Sequence, residues 1–321
     1  EKGWKSIFEH LSLENKDYTL QTVEEIYRDK SQEEIIEFVM EKVVNANPDV
    51  IVLDMRLHED DFAENVGIAS FTGIQIFNKI KELNPGIQVI IFTASSNSLL
   101  LDQLYSDGSS ILGYVKKEHP KNYNLTTQGN INKLITLINR GLEEKYLKNI
   151  YDISSSIINI LNIDLDNPDE KLKSFKNYNI TVSKYLSQAK LIDKETRYVF
   201  NTLNSNTSNK YAYAMLSITR SLEAISSIFI KERQFDNIYW DSEECLSRKF
   251  EDKITDLLRK FGYMEDVIHL NSLITRRNRY VHFNSSYREV TKTEIEQWFE
   301  ILLSIIEIID TPPNYIPYIP K

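Results

Sequence analysis

The chain has 321 residues and a net charge of −9, with 41% hydrophobic residues. Those numbers predict more than one domain and ordinary hydrophobic cores. The single cysteine, Cys245, excludes a disulfide framework or an all-cysteine zinc site within one chain, and no apolar run is long enough to cross a membrane. We read the protein as cytoplasmic. The charge is uneven. Residues 1–120 hold 21 acids and 11 bases, a balance of −10, whereas residues 121–321 hold the remaining 26 acids and 27 bases, a balance of +1. The first part is therefore a poor match for a polyanion, and the second could bind one only through a local patch.

In chain order, the first strong signal is a helix over about 31–44. Ser31 stands three residues before Glu34, the spacing of a capping box. PDVIVLDMRL (48–57) follows, a continuous apolar run ending in Asp54, as in a strand buried on both faces of a parallel sheet. Residues 73–83 carry Ile74, Ile76, Phe77 and Ile80 at helical spacing. IQVIIFTAS (87–95) ends in Thr93, and ILGYVKKE (111–118) ends in Lys116 and Lys117. Strands alternating with helices predict an α/β doubly wound parallel sheet. Its ligands bind beyond the carboxyl ends of the strands, where Asp54, Thr93 and Lys117 all fall.

These motifs together resemble a response-regulator receiver domain over residues 1–125. They are the strand-end Asp54, Gly73 opening a helix, Thr93-Ala94, and Tyr114 three residues before Lys117. The resemblance implies that Asp54 accepts a phosphoryl group from a histidine kinase or another phosphodonor. Thr93 would bond a phosphoryl oxygen, Lys117 would neutralise its charge, and Tyr114 would be the switch aromatic. It also implies Mg2+, held here by Asp54 and the backbone carbonyl of Arg56. Two features depart from the pattern. The first strand and its acidic pair are missing, so the chain is expected to start inside the domain. Asp54 and Gly73 lie 19 positions apart, further than in the family, with the acidic insertion HEDDFAENVGIAS between them. That insertion is expected to shield the site or meet a partner.

Residues 126–164 read as a connecting helix. From Ile131 to Leu161, apolar residues recur every three or four positions, giving one amphipathic pattern interrupted by Gly141. The alternatives are a continuous strut or two successive helices, and the strut is preferred. DNPDE (166–170) reads as a helix start.

Residues 165–321 predict an all-α bundle, with helices over about 169–190, 209–232, 245–261, 264–283 and 292–310 and a proline-rich tail. On the fourth helix, Leu270, Leu273/Ile274, Arg277 and Val281 step by three and four. This puts Arg277 on the apolar stripe, where a buried cation needs an anion or a wet cleft. Asn278 and His282 share a face. The text RNRYVH resembles the RNxxxH signature of HEPN domains, a helical family that includes metal-independent ribonucleases. The resemblance implies a homodimer whose two motifs meet in one cleft. Arg277, Asn278 and His282 would be catalytic, Arg276 and Arg279 would hold flanking RNA phosphates, and no cofactor would be needed. His282 would move protons while a ribose 2′-hydroxyl attacks the adjacent phosphorus, leaving 2′,3′-cyclic phosphate ends and sparing DNA.

The whole then reads as a phosphorylation-regulated RNA endonuclease of a two-component or antiviral-defence system. The alternative is a non-catalytic regulator whose helical half only dimerises or binds a partner, with Arg277 bonded to an acid such as Glu223. His10, His58, His119 and His269 show no metal-ligand spacing and read as surface or packing residues.

Overall fold

The structure is a computed structural model. It describes residues 19–23, 29–63, 66–94, 111–117, 125–161, 182–205, 207–226, 250–281 and 289–310. The chain divides into two compact units, Glu1–Lys148 and Asn149–Lys321. The expected boundary at 125 therefore moves beyond the next helix, for a reason given below.

The first unit contains a three-stranded parallel sheet in the order β1 (Val50–Leu53), β2 (Gln88–Thr93), β3 (Gly113–Lys116). Leu53 lies opposite Ile91, and Thr93 opposite Lys116. Alternate residues of the sheet face opposite ways. Ile51, Leu53, Val89 and Ile91 pack with α1 (Gln32–Ala46) and α2 (Thr72–Leu83) through Ile35, Ile36, Val39, Ile76, Phe77 and Ile80. Val50, Val52, Ile90, Phe92 and Val115 pack with α3 (Leu125–Glu143) through Leu134 and Leu137. Helices thus cover both faces, which is why β2 is buried along its whole length and why its text is continuously apolar. The capping box forms as expected at α1. The Ser31 N–H donates to Glu34 Oε2 at 2.7 Å, and the Glu34 N–H donates to Ser31 Oγ at 3.3 Å.

Two helices replace the expected strut. α3 ends at Glu143, a turn occupies Glu144 and Lys145, and α4 (Tyr146–Leu161) follows. The break lies three residues past Gly141, and that glycine has a different task. A Cβ there would come within 2.8 Å of Val50 Cγ2 and 3.0 Å of Leu112 Cδ2, so its absence lets α3 lie close on the sheet. The first turn of α4 is fastened to the first unit. Lys148, 5% exposed, donates to the Asn47 carbonyl at 2.6 Å and pairs with Asp49 Oδ1 at 3.1 Å. The Asn84 amide donates to the Lys148 carbonyl at 3.2 Å. Gly86 lies so close beneath Leu147 that a Cβ would sit 2.5 Å from its carbonyl carbon. These contacts carry the unit on to Lys148.

Among its described residues the second unit has helices and no strand. Beyond the rest of α4 it contains α5 (Val182–Leu203), α6 (Lys210–Ile225), α7 (Phe250–Lys260), α8 (Met264–Val281) and α9 (Lys292–Asp310). α6 packs on α5, α8 and α9, and α8 also packs on α7 and α9. Leu222, Ile225, Leu270, Leu273, Trp298, Phe299 and Leu302 are buried, supplying the apolar surface that drives the packing. The helix expected over 169–190 instead runs through Leu203, since residues 191–203 are helical too. The helix start at 166–170, the tail beyond 310 and residues 1–18 lie outside the described residues. No described helix is long and apolar enough to cross a membrane.

Candidate functional site

At the carboxyl ends of the strands, Asp54 follows β1, Thr93 ends β2 and Lys117 follows β3. Lys117 Nζ reaches Asp54 Oδ2 at 2.5 Å, and both side chains are about one quarter exposed. Lys116 is exposed, so the one-residue offset between the two lysines separates a site cation from a solvated one. The Lys117 N–H donates to the Thr93 carbonyl at 2.7 Å, tying the two strand ends together. Lys117 Nζ also lies 5.1 Å from the centre of the Phe92 ring. Thr93 is 2% exposed. Tyr114 is half-buried, and the ammonium of Lys133 on α3 sits 4.1 Å from its ring centre.

Gly73 is required here for close approach. Its N–H donates to the Met55 carbonyl at 3.0 Å, and a Cβ would fall 2.0 Å from the Asp54 carbonyl oxygen. Only glycine lets the first turn of α2 lie against the strand end that carries Asp54.

The described part of the insertion is folded. Residues Glu59–Phe62 and Ile68–Ser70 form two 3-10 turns. Asp61, 0% exposed, fastens the first. Its Oδ2 accepts from the backbone of Leu57 (2.8 Å) and His58 (3.0 Å). Its Oδ1 accepts from the Thr72 backbone (3.0 Å), Thr72 Oγ1 (3.1 Å) and Gln32 Nε2 (3.2 Å). A buried carboxylate is tolerated when donors surround it. His58 serves as a cap, its Nδ1 accepting from the Asp60 N–H at 3.2 Å. Arg56 is stacked: its guanidinium carbon lies 4.7 Å from the Phe71 ring centre and 5.4 Å from that of Phe62. Neither Asp61 nor the Arg56 stack was foreseen from sequence. The first is hidden in an acidic run, and the second joins residues of three segments.

Among the described residues, two protein oxygens could serve magnesium. Asp54 supplies one carboxylate, whose Oδ2 is engaged by Lys117, and the Arg56 carbonyl would add one more oxygen. Magnesium takes six oxygens, several of them water. Among the described residues no group of three or more His, Cys, Asp or Glu could hold a metal ion.

In the second unit the stripe of α8 is one residue out of phase with expectation. The buried positions are Val267, Leu270, Leu273 and Arg276, whereas Arg277 is half-buried and Val281 is exposed. Arg276 is thus the cation on the stripe. Its Nη2 and Nε donate to Glu294 Oε1 at 2.7 and 3.1 Å, with side-chain exposures of 11% and 17%. Glu294 also closes a capping box with Thr291 at the start of α9: the Thr291 N–H donates to Oε2 at 3.0 Å, and the Glu294 N–H to Thr291 Oγ1 at 3.3 Å. Burial alone would raise the Glu294 pKa. The bonds from Thr291 and Arg276, with the arginine's charge, outweigh it and hold the carboxyl below its usual range. Arg276, expected to hold a flanking RNA phosphate, has its guanidinium engaged by Glu294, and the pair joins α8 to α9. The Thr291-x-x-Glu294 spacing was the available clue.

Arg277 lies more openly. Its Nη2 donates to Glu223 Oε1 on α6 at 3.2 Å, and its Nη1 to Asn278 Oδ1 at 3.0 Å. Its side chain is 31% exposed and that of Glu223 42%. Arg279 is exposed. His282, the expected proton-transfer group, lies outside the described residues. Arg277 and Asn278 therefore stand together at the end of a helix, with a carboxylate opposite and water within reach. Comparisons with protein-family models and with curated proteins return no match to this chain.

Proposed function

We propose that the chain is a two-part signalling protein, in which a receiver-like phosphoacceptor unit regulates a HEPN-like ribonuclease unit. The observation that carries this reading is the convergence of Asp54, Thr93 and Lys117 at the carboxyl ends of three parallel strands. A sheet covered on both faces binds ligands there. A carboxylate held beside a fixed ammonium suits phosphoryl transfer, because the nucleophile and the cation that steadies the incoming charge are already together.

For the output unit, support comes from Arg277 and Asn278, adjacent and solvent-reachable on α8. In this reading an RNA phosphate takes the guanidinium from Glu223, a weak, exposed partner. The planar fork then binds two phosphate oxygens. The 2′-oxygen attacks phosphorus and loses its proton to a base. The P–O5′ bond breaks, and the leaving oxygen takes up a proton. His282 is the group proposed to exchange those protons. Arg279 extends the contact to a flanking phosphate, and a second copy of the chain completes the cleft. The phosphodonor is a histidine kinase or a small acyl phosphate, and a cytoplasmic setting in stress or phage defence suits such an enzyme.

The second reading, a regulator whose helical half binds without cleaving, draws on one observation: carboxylates engage both Arg276 and Arg277. The test is incubation of the purified chain with labelled RNA in EDTA, with the receiver-like unit unmodified and after acetyl phosphate. Cleavage by wild type that His282→Ala abolishes supports the nuclease. Equal cleavage by both refutes it, and no cleavage in either state favours the second reading.

A further inference from the structure

We propose that Arg56 is a second cation of the Asp54 site, held by the insertion between Phe62 and Phe71 to bind the oxygens of a phosphoryl group arriving on Asp54. The inference rests on Asp54 being a phosphoacceptor. Charge is its first support. Asp54 and Lys117 neutralise each other at rest. The acyl phosphate of Asp54 carries roughly two negative charges, which Lys117 alone does not balance.

Position is the second support. Arg56 is two residues beyond Asp54, and its backbone N–H faces Asp54 Oδ1 at 3.5 Å. That is the oxygen opposite the one held by Lys117. The third is the state of the guanidinium. Its central carbon lies over the rings of Phe71 and Phe62, at 4.7 and 5.4 Å from their centres, contacts that engage its charge without using its N–H donors as hydrogen bonds. Its Nε is buried and has no hydrogen-bond partner among the described residues. A buried donor without an acceptor is uncommon, and a functional role is one of its recognised explanations. The fourth is the mounting. Phe62 belongs to the insertion and is 65% exposed, yet the turn that bears it is fixed by the five hydrogen bonds to Asp61. The insertion therefore acts as the outer jaw of a clamp.

In the transfer, an Asp54 oxygen attacks the phosphorus of acetyl phosphate. The bond from phosphorus to the acetate oxygen breaks, acetate leaves with that electron pair, and no net proton is needed. Arg56 and Lys117 bind the phosphoryl oxygens throughout.

The experiment uses the full chain with acetyl phosphate and magnesium, following adduct formation by intact mass. Wild type, Arg56→Gln, Arg56→Lys, Phe62→Ala and Asp54→Asn are compared, with thermal unfolding confirming that each is folded. Arg56→Gln should slow the initial rate about tenfold, the scale of one hydrogen bond to a charged group. Arg56→Lys should recover part of that loss. Phe62→Ala, which removes an exposed ring, should slow the rate by a smaller factor without lowering Tm. Equal rates for wild type and Arg56→Gln, with Asp54→Asn silent, would overturn the clamp and leave Asp54 as phosphoacceptor. No adduct on wild type, or an equal adduct on Asp54→Asn, would overturn both.

Discussion

The two candidate sites are built differently. The Asp54 site collects residues from the ends of three strands, of which β2 is buried throughout and β1 and β3 only in part. The Arg277 site depends on the rotational phase of one helix. In a parallel sheet, the strand ends gather residues from distant parts of the chain at one edge, and one step of sequence separates Lys117 from the exposed Lys116. On a helix, one step of sequence turns a side chain through about 100°. Arg276 and Arg277 show the consequence: one is buried against Glu294, and the other reaches toward Glu223 beside solvent. Residue type alone does not distinguish them.

The sharpest way to break the contrast is to remove chemistry from each site separately. Asp54→Asn should eliminate acetyl phosphate adducts outright while leaving RNA cleavage by the unmodified chain intact. His282→Ala should lower cleavage by about 10²–10⁴-fold, the usual worth of positioned proton transfer, and Arg277→Ala by about 10²–10³-fold, that of one stabilising donor, neither changing adduct formation. Intact mass and gel assays on the same preparations report both. A cross-effect of either variant on the other assay would show that the sites are not separable.

The paired arginines give the next test. Arg276→Ala strands Glu294 in a mostly buried position and should cost about 3 kcal/mol, the low end for breaking a buried ion pair. Arg277→Ala breaks an exposed pair and should cost less than about 1 kcal/mol. Urea unfolding measures both, and comparable losses would put the two arginines in the same environment. A similar cost applies in the sheet. Gly73→Ala drives a methyl into the Asp54 carbonyl and should cost about 3 kcal/mol, at the upper end for overpacking.

The smallest effect is one of pH. The Glu294 carboxyl is held below its ordinary value of 4.5 in the folded chain. Its contribution is therefore present above 4.5, shrinks as pH falls through the depressed folded value, and is gone below it. Glu294→Gln should flatten the acid limb of stability in that window, with little change in slope above pH 6. Stability curves of the two proteins that stay parallel down to pH 3 would contradict it.

Much of the first unit was legible because buried strands leave continuous apolar text. Val50–Leu53 and Gln88–Thr93 lie within the expected runs, and the Ser31 box is formed as spaced. The break between α3 and α4 was hidden because the apolar rhythm passes through the turn at Glu144–Lys145 without a change of phase. α5 was read short because polar groups occupy its buried face. Thr196 returns its hydroxyl to the Ile192 carbonyl at 3.0 Å, and Glu195, 3% exposed, is paired with Arg220 at 2.9 Å. The connection between Arg56, Phe62 and Phe71 was not legible, since it depends on how a loop folds back rather than on any period.

The attachment of Lys148 sets where the first unit can be cut. A fragment ending at Glu143 would keep every described strand and α3, but it would uncover the Asn84 amide and the Asp49 carboxylate and leave the hollow over Gly86 open to water. Such a fragment should express poorly and exchange its amide hydrogens quickly around 84–88. One that continues through α4 should be protected there. The residue that ends the unit is thus also its latch, and excising the unit for study means taking the helix that carries it.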